Sequence, residues 1–283
     1  MSSYSFSPLR YPGGKFSMLK FTKALIYNNA LQRCHYIEPY AGGAGLALGL
    51  MYDGFVSEIH INDIDPMIWS FWFSILNHTK EFIELINSTP ITIDEWHKQK
   101  EINSRCNLND YLHLGFSTFF LNRTNRSGII KGAGAIGGKN QSGAYKIDCR
   151  FNKSDLIERI KRIKKYSNRI HLTNLDAIAF INEVENYTPD NTFFFIDPPY
   201  YNKGSTLYTS FYRPEDHALV ADSIKKINKY WVVTYDNTPE IYNLYDGYGR
   251  IPFNINYSLQ TKRKGNELLI YSENLAICTD YLK

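Results

Sequence analysis

Short apolar, β-branched runs alternate along this chain with stretches whose apolar positions recur every three to four residues. The runs are HYIEP (35–39), EIHIND (58–63), RIHLTN (169–174), TFFFID (192–197), YWVVTYD (230–236), IPFNINYS (251–258) and ELLIYS (267–272). Strands alternating with helices predict a mostly parallel α/β sheet. The last two runs leave little room for a helix between them, so the sheet is expected to close with an antiparallel hairpin. The second and third runs are separated by about 105 residues without a comparable strand. That stretch reads as helices near 66–86, 92–104 and 109–122, a Gly-rich segment and a basic helix. The expected organisation is one α/β domain, 1–75 with 165–283, interrupted by a mostly helical insert at 76–164.

Composition narrows the class. The chain has 283 residues, 43% of them hydrophobic and 21% charged, which describes a globular protein with a substantial core. Its longest uncharged apolar stretch, 39–52, has 14 residues and four glycines, short of the roughly 20 residues a membrane helix needs. MSSYSFSPLR lacks the features of a signal peptide, so a cytoplasmic protein with no membrane association is expected. Cys34, Cys106, Cys149 and Cys278 form no CxxC pair and have no histidines at ligand spacing; reduced cysteines and no metal are expected. The aromatic share of 15%, with 22 tyrosines, fits either core packing or base stacking.

Charge becomes informative once it is located. From Asn122 to Arg169 there are 13 Lys and Arg against Asp148, Asp155 and Glu158, a local +10 that leaves −6 of the chain's net +4 for the remainder. GIIKGAGAIGGKNQSG at 128–143 holds six glycines in 16 residues, so it is expected to be a mobile loop and not a regular element. RIKRIKK at 159–165 lies on a helix with Leu156, Ile160 and Ile163 on its apolar face. A solvated helix face explains that run alone; the density over the whole window favours a phosphate-rich partner.

Three motifs carry chemistry. In YIEPYAGGAGLALGL, a strand is followed by Gly42, Gly43 and Gly45 and then a helical run, which lets backbone approach a ligand at a helix N-terminus. Asp63 ends the next strand, 21 residues after Gly42, where Rossmann-like sites place the carboxylate that binds ribose hydroxyls. The strict GxGxxG spacing is absent, and packing alone could require these glycines. RYPGGK at 10–15 puts Lys15 after two glycines, but Phe16 replaces the Ser or Thr of a phosphate loop and no strand precedes it, which excludes an NTPase. It is a turn before a helix, or it places Tyr11 on a ligand ring and Lys15 on a carboxylate. Asp197-Pro198-Pro199-Tyr200, directly after TFFFI, is the most specific. A carboxylate at the carboxyl end of a buried parallel strand sits where such sheets bind ligands. Two prolines remove two N–H donors, so carbonyls can face a donor substrate, and Tyr200 adds an aromatic face. An exocyclic amine needs that set.

With these residues in place, the sequence resembles the Dam-type DNA adenine N6-methyltransferases, which use S-adenosyl-L-methionine. RYPGGK, EPYAGGAG, NDIDP and DPPY match the family's motifs in order, FLNRTNRSG at 120–128 resembles its segment between the two halves, and GNELLIYS its closing strand. Tyr11-Pro12 departs from the common Trp-Ala. The resemblance implies a Rossmann-like seven-stranded methyltransferase sheet with an inserted, mostly helical DNA-recognition domain, and methyl transfer to N6 of a flipped-out adenine in double-stranded DNA. It assigns Tyr11, Lys15, Ala41, Gly42, Gly43, Asp63, Leu175 and Asp197 to the cofactor pocket, with Asp176 beside Leu175 at the cofactor adenine. Asp197, Pro198, Pro199 and Tyr200 would be catalytic. Phe211 and Tyr212 would cover the pocket or pack in the core. Arg123, Arg126, Lys139, Arg159, Lys161 and Arg162 would contact DNA, and residues between 115 and 145 would read the sequence. A cognate restriction endonuclease as partner, and a monomer or weak dimer, are both compatible with it.

Other classes fit less well. RNA and protein-glutamine methyltransferases share the (D/N)PPY element, but the basic insert and RYPGGK point to duplex DNA. A DNA-binding protein without catalysis would be expected to alter DPPY, and DPPY has no role in the hydride transfer of a NAD enzyme.

Overall fold

The computed structural model describes residues 6–11, 13–202, 212–257 and 263–282. The chain divides into two compact units, Gly13–Ile64 with Arg169–Lys283, and Phe6–Pro12 with Asp65–Asn168. The second unit thus begins at Asp65, ahead of the expected residue 76, and takes in a short N-terminal segment.

The first unit is built on β1 (Cys34–Glu38), β2 (Val56–Asn62), β3 (Ile170–Thr173), β4 (Thr192–Ile196), β5 (Tyr230–Asp236), β6 (Gly249–Tyr257) and β7 (Arg263–Tyr271). They form one sheet in the order β3-β2-β1-β4-β5-β7-β6. Strands β1 to β5 run parallel to one another, while β7 runs antiparallel to β5 and β6. All five residues of β4 are buried, as a central parallel strand covered on both faces requires. Its helices are α1 (Leu19–Asn28), α2 (Gly45–Tyr52), α8 (Ala177–Tyr187), α9 (Pro214–Ile224) and α10 (Pro239–Leu244). Ile37, Phe194, Ile196, Trp231 and Val233 pack with α8 and α9 residues such as Phe180, Val184, Val220 and Ile224 in one apolar layer.

The second unit contains α3 (Pro66–Asn77), α4 (Thr79–Ser88), α5 (Ile93–Arg105), α6 (Tyr111–Thr124) and α7 (Lys153–Lys165). The pattern that reads as one helix over 66–86 is two, broken at His78 (φ −117°, ψ 41°). Much of the aromatic content is spent in this core: Phe71 lies against Phe82 and Phe119, and Phe151 against Phe119 and Phe120, at centroid separations of 5.3 to 5.9 Å. Past Gly128, which ends a 3-10 turn, the Gly-rich segment adopts no helix or strand, and Gln141 closes it through bonds to the carbonyls of Ile136 and Gly138 and from the Ile147 amide.

Helices α3 and α6 cross with little space between them. A Cβ on Gly115 would stand 2.4 Å from the Ser70 carbonyl oxygen and 2.8 Å from Ser74 Oγ. Gly115→Ala should therefore lower the unfolding free energy by about 1 to 3 kcal/mol, read from urea melts; an unchanged midpoint would show that the two helices part without cost.

Candidate active site

The carboxyl ends of β1, β2, β4 and β5 gather the site of the first unit. After β1, the chain turns sharply, with Gly42 at φ 46° and Ala44 at φ 44°, a region that favours glycine at the first position. Ala44 precedes α2 without a capping side chain. Glu38 supplies the missing acceptor: its Oε1 takes the Ala47 amide (3.2 Å) and the Tyr36 hydroxyl (2.9 Å). Burial raises the Glu38 carboxyl to about 8, against those two hydrogen bonds.

Asp63 follows β2, and its Oδ2 accepts the Gly42 amide at 2.9 Å. Asn62 braces the neighbouring loops, donating to the carbonyls of Pro39 and Leu175 and accepting the Leu175 amide. Ala41, Gly42, Asp63 and Leu175 are thus joined through backbone and side-chain bonds. Asp176 is spent on capping α8, where its Oδ1 accepts the amides of Ile178 and Ala179. Gly43 lies within the same turn. Tyr11 belongs to the other unit.

The Asp197-Pro198-Pro199-Tyr200 segment leaves β4 directly. Asp197 Oδ1 accepts from Thr234 Oγ1 (2.7 Å), and Oδ2 pairs with Lys15 Nζ (2.9 Å). The same ammonium donates to the Tyr200 hydroxyl (2.9 Å) and the Gly13 carbonyl (3.2 Å), and lies 3.8 Å from Glu267 Oε2. Tyr200 in turn donates to Glu267 Oε1. The Lys15 side chain is 4% exposed, Glu267 1% and Asp197 19%. Burial pushes Glu267 up to about 7, with Lys15 opposing and Asp197 adding to the rise. Beyond the tetrapeptide, the carboxylate of Asp236 accepts the amides of Tyr201 and Asn202 at 2.8 and 2.9 Å, which holds the turn. Tyr212 hydrogen bonds to Tyr40 and packs against His217 in the core; Phe211 lies outside the described residues.

Glu38, Asn62, Thr234, Asp236 and Glu267 are not singled out by sequence. The signal available for two of them is that Asp236 ends and Glu267 begins an otherwise apolar run; in the sheet they are register partners. Lys15 does not stand apart from the tetrapeptide; it is the cation within it.

In the second unit, the basic candidates separate into two kinds. Arg123 is turned inward: Nε donates to the Arg150 carbonyl (2.7 Å) and Nη1 to that of Pro8 (3.4 Å), and burial followed by Arg10 and Arg159 pulls its pKa down. Arg159 binds Asp155 and the Ser7 carbonyl. Arg126, Lys139, Lys161 and Arg162 are exposed. Lys161 pairs with Glu158 at 2.9 Å, and Arg162 lies over the Phe6 ring. Asn122 and Asn125 act internally, the first binding both backbone groups of Arg10 and the Gly128 carbonyl, the second Trp96 and the carbonyls of Ile129 and Ile130.

The sheet order, with acidic groups and a glycine turn at its carboxyl edge, defines a Rossmann-like fold of the methyltransferase type. The chain belongs to the D12 class of N6 adenine-specific DNA methyltransferases, whose family pattern it matches over residues 11–259. It is 23% identical over 279 residues to the type II methyltransferase M.CviBI of Paramecium bursaria Chlorella virus NC1A, covering 92% of this chain and 95% of that protein. Among solved structures it is similar to the rRNA methyltransferase aviRa of Streptomyces viridochromogenes (TM-score 0.39, 13% identity, 89% of this chain and 84% of that one). A SAM-dependent methyltransferase of Agrobacterium tumefaciens is similar at a TM-score of 0.39 (12% identity, 91% of this chain and 62% of that one). The protein is thus an enzyme of DNA adenine methylation. Among the described residues, no helix is long and apolar enough to cross a membrane.

The raised Glu38 has a sign that can be tested. A carboxyl near 8 when folded, against its ordinary 4.5 in the unfolded chain, makes the folded protein hold a proton that the unfolded chain releases, so stability falls as pH rises from about 4.5 to about 8. Glu38→Gln keeps the acceptor and loses the titration. Its stability relative to wild type should improve steadily across that interval in urea melts, whereas a pH-independent difference would mean that Glu38 is charged throughout.

Proposed function

We propose that the protein is a site-specific methyltransferase that uses S-adenosyl-L-methionine to methylate N6 of an adenine flipped out of duplex DNA. The observation that carries this reading is Asp197 at the end of β4, held by Thr234 on one oxygen and by Lys15 on the other. The cofactor's sulfonium supplies an electrophilic methyl group. The residues fit it: the turn at Ala41, Gly42 and Gly43 brings backbone to the sheet edge, and Asp63, fixed by the Gly42 amide, is a carboxylate suited to ribose hydroxyls. Leu175 supplies an apolar neighbour for the cofactor base. The assignment of Tyr11 to the cofactor rests on the motif alone.

The chain's own work is orientation. Asp197 and the Pro198 carbonyl accept the two N6 hydrogens, which turns the nitrogen lone pair toward its electrophile. The N6 proton becomes acidic as the new bond forms and passes by way of the Asp197 carboxylate to solvent, so Asp197 need not be a strong base. Lys15 balances the charge of Asp197 and fixes its rotamer, an effect of positioning more than of acid-base strength. Pro199 keeps the backbone rigid between these acceptors and Tyr200.

Flipping the base costs a few kcal/mol, and stacking on Tyr200 returns about 1 to 3 kcal/mol. Tyr200 is 5% exposed, so base entry has to uncover its face, while Lys15 and Glu267 keep the ring oriented by its hydroxyl. Arg126, Lys139, Lys161 and Arg162 are the cations proposed to meet DNA phosphates; Arg123 is bound to backbone carbonyls of its own unit, and Arg159 to Asp155 and the Ser7 carbonyl. The type II name of the viral relative supports a fixed recognition sequence, and a cognate restriction endonuclease would be the functional partner.

Asp197→Ala should reduce methyl transfer to oligonucleotide duplexes by at least about a thousandfold, the scale of losing an oriented acceptor in a near-attack geometry, with DNA affinity retained. Activity within tenfold of wild type would remove Asp197 from the reaction. Arg126→Ala with Lys139→Ala should weaken binding to all duplexes alike and lower the slope of log affinity against log salt by about one for each phosphate no longer neutralised; an unchanged slope would place the phosphate-binding cations elsewhere.

A further inference from the structure

We propose that His35, Glu58 and His60 form a binding site for one divalent transition-metal ion of the zinc class, with His171 orienting the carboxylate. The four residues lie on β1, β2 and β3, where His35 is register partner of Glu58 and His60 of His171. Side chains alternate faces along a strand, so Glu58 and His60, two apart, share a face, and these pairings bring His35 and His171 to the same one.

One ligand atom from each of His35, Glu58 and His60 lies within 4.8 Å of the others. His35 Nδ1 and His60 Nε2 are 3.1 Å apart, and His35 Nδ1 is 4.0 Å from Glu58 Oε2. A tetrahedral ion with bonds of 2.0 to 2.1 Å sets its ligand atoms about 3.3 Å apart. The histidine pair is already near that spacing, and rotation of Glu58, whose side chain is 35% exposed, closes the remainder.

The electronic state suits a ligand role. Burial lowers the pKa of both His35 and His60, the latter to about 3, which keeps the rings neutral as metal ligation requires. The rings are also prearranged: His60 stacks on His171 at 4.3 Å and 17°, and on His35 at 5.3 Å and 26°. His171 Nε2 lies 2.6 Å from Glu58 Oε2, the outer hydrogen bond that fixes a ligating carboxylate. Two imidazoles with one carboxylate are borderline donors, matching zinc, cobalt, nickel or copper in preference to magnesium or calcium. Glu58 and His35 leave a path to water for entry and for a fourth, solvent ligand.

The ion would cross-link β1 and β2 and brace β3 through His171. The chain leaves these same strands, at their carboxyl ends, into the turn at 41–43, Asp63 and Leu175. Its role is therefore structural support of that edge of the sheet, and the proposal does not depend on the methyl-transfer reading.

The test uses the untagged full chain, stripped with a chelator and titrated with Zn²⁺ by calorimetry and with Co²⁺ by visible absorption, near neutral pH. The expected result is one ion per chain, a tetrahedral Co²⁺ spectrum and a higher melting temperature with Zn²⁺. His35→Gln and Glu58→Gln should each weaken binding by more than tenfold. His171→Gln, a change at a side chain 45% exposed, should cost about tenfold and keeps the test valid if another variant does not fold. Absence of saturable uptake by the wild type, or equal affinity in all folded variants, would overturn the proposal.

Discussion

The site depends on one buried ammonium. Lys15 sits among Asp197, Glu267 and Tyr200 with almost no access to water, where an unpaired charge would be prohibitively costly. One cation cannot neutralise two carboxylates, and the structure divides the burden. Asp197 takes the 2.9 Å pair with Lys15, while Glu267, more deeply buried, is pushed up to about 7 and receives the Tyr200 hydroxyl. The arrangement connects the segment before α1, the end of β4 and strand β7 in a single network. It follows that the tetrapeptide is oriented from below by charge as well as by its two prolines.

That network is only partly legible in the sequence. Asp197 and Tyr200 stand out because a carboxylate and an aromatic ring flank two prolines after an apolar run, a combination with few structural uses. Lys15 also stands out, as a cation after paired glycines, but its partner does not. Glu267 reads as the first residue of the apolar run ELLIYS, and only the antiparallel placement of β7 beside β5 brings it under Tyr200. Such pairing is a property of strand order, which local periodicity does not encode. The same limit applies to Glu38, which caps α2 from nine residues away.

The central strand β4 is legible because burial on both faces demands a continuous apolar run, and the ends of the strands differ from the expected ones by only a few residues. The helix over 66–86 is not, since its apolar period continues across His78 while the backbone does not. Charge misleads in a particular way. A guanidinium can satisfy its donors on backbone carbonyls, as Arg123 does with Arg150 and Pro8, so a basic window counts structural and solvent-facing cations alike. Of the six candidate cations, Arg126, Lys139, Lys161 and Arg162 remain exposed, and the aromatic residues likewise divide, among core rings, exposed tyrosines such as Tyr27, Tyr145 and Tyr281, and the tyrosine of the tetrapeptide.

The central claim is that this constellation methylates adenine in DNA at a defined sequence. It is tested most directly by expressing the protein in a host without adenine methylation and mapping N6-methyladenine across the genome by single-molecule sequencing. The account predicts modification at nearly every copy of one short sequence, and none in the same host carrying the empty vector. Genomic DNA without N6-methyladenine, from cells that hold folded protein, would contradict it.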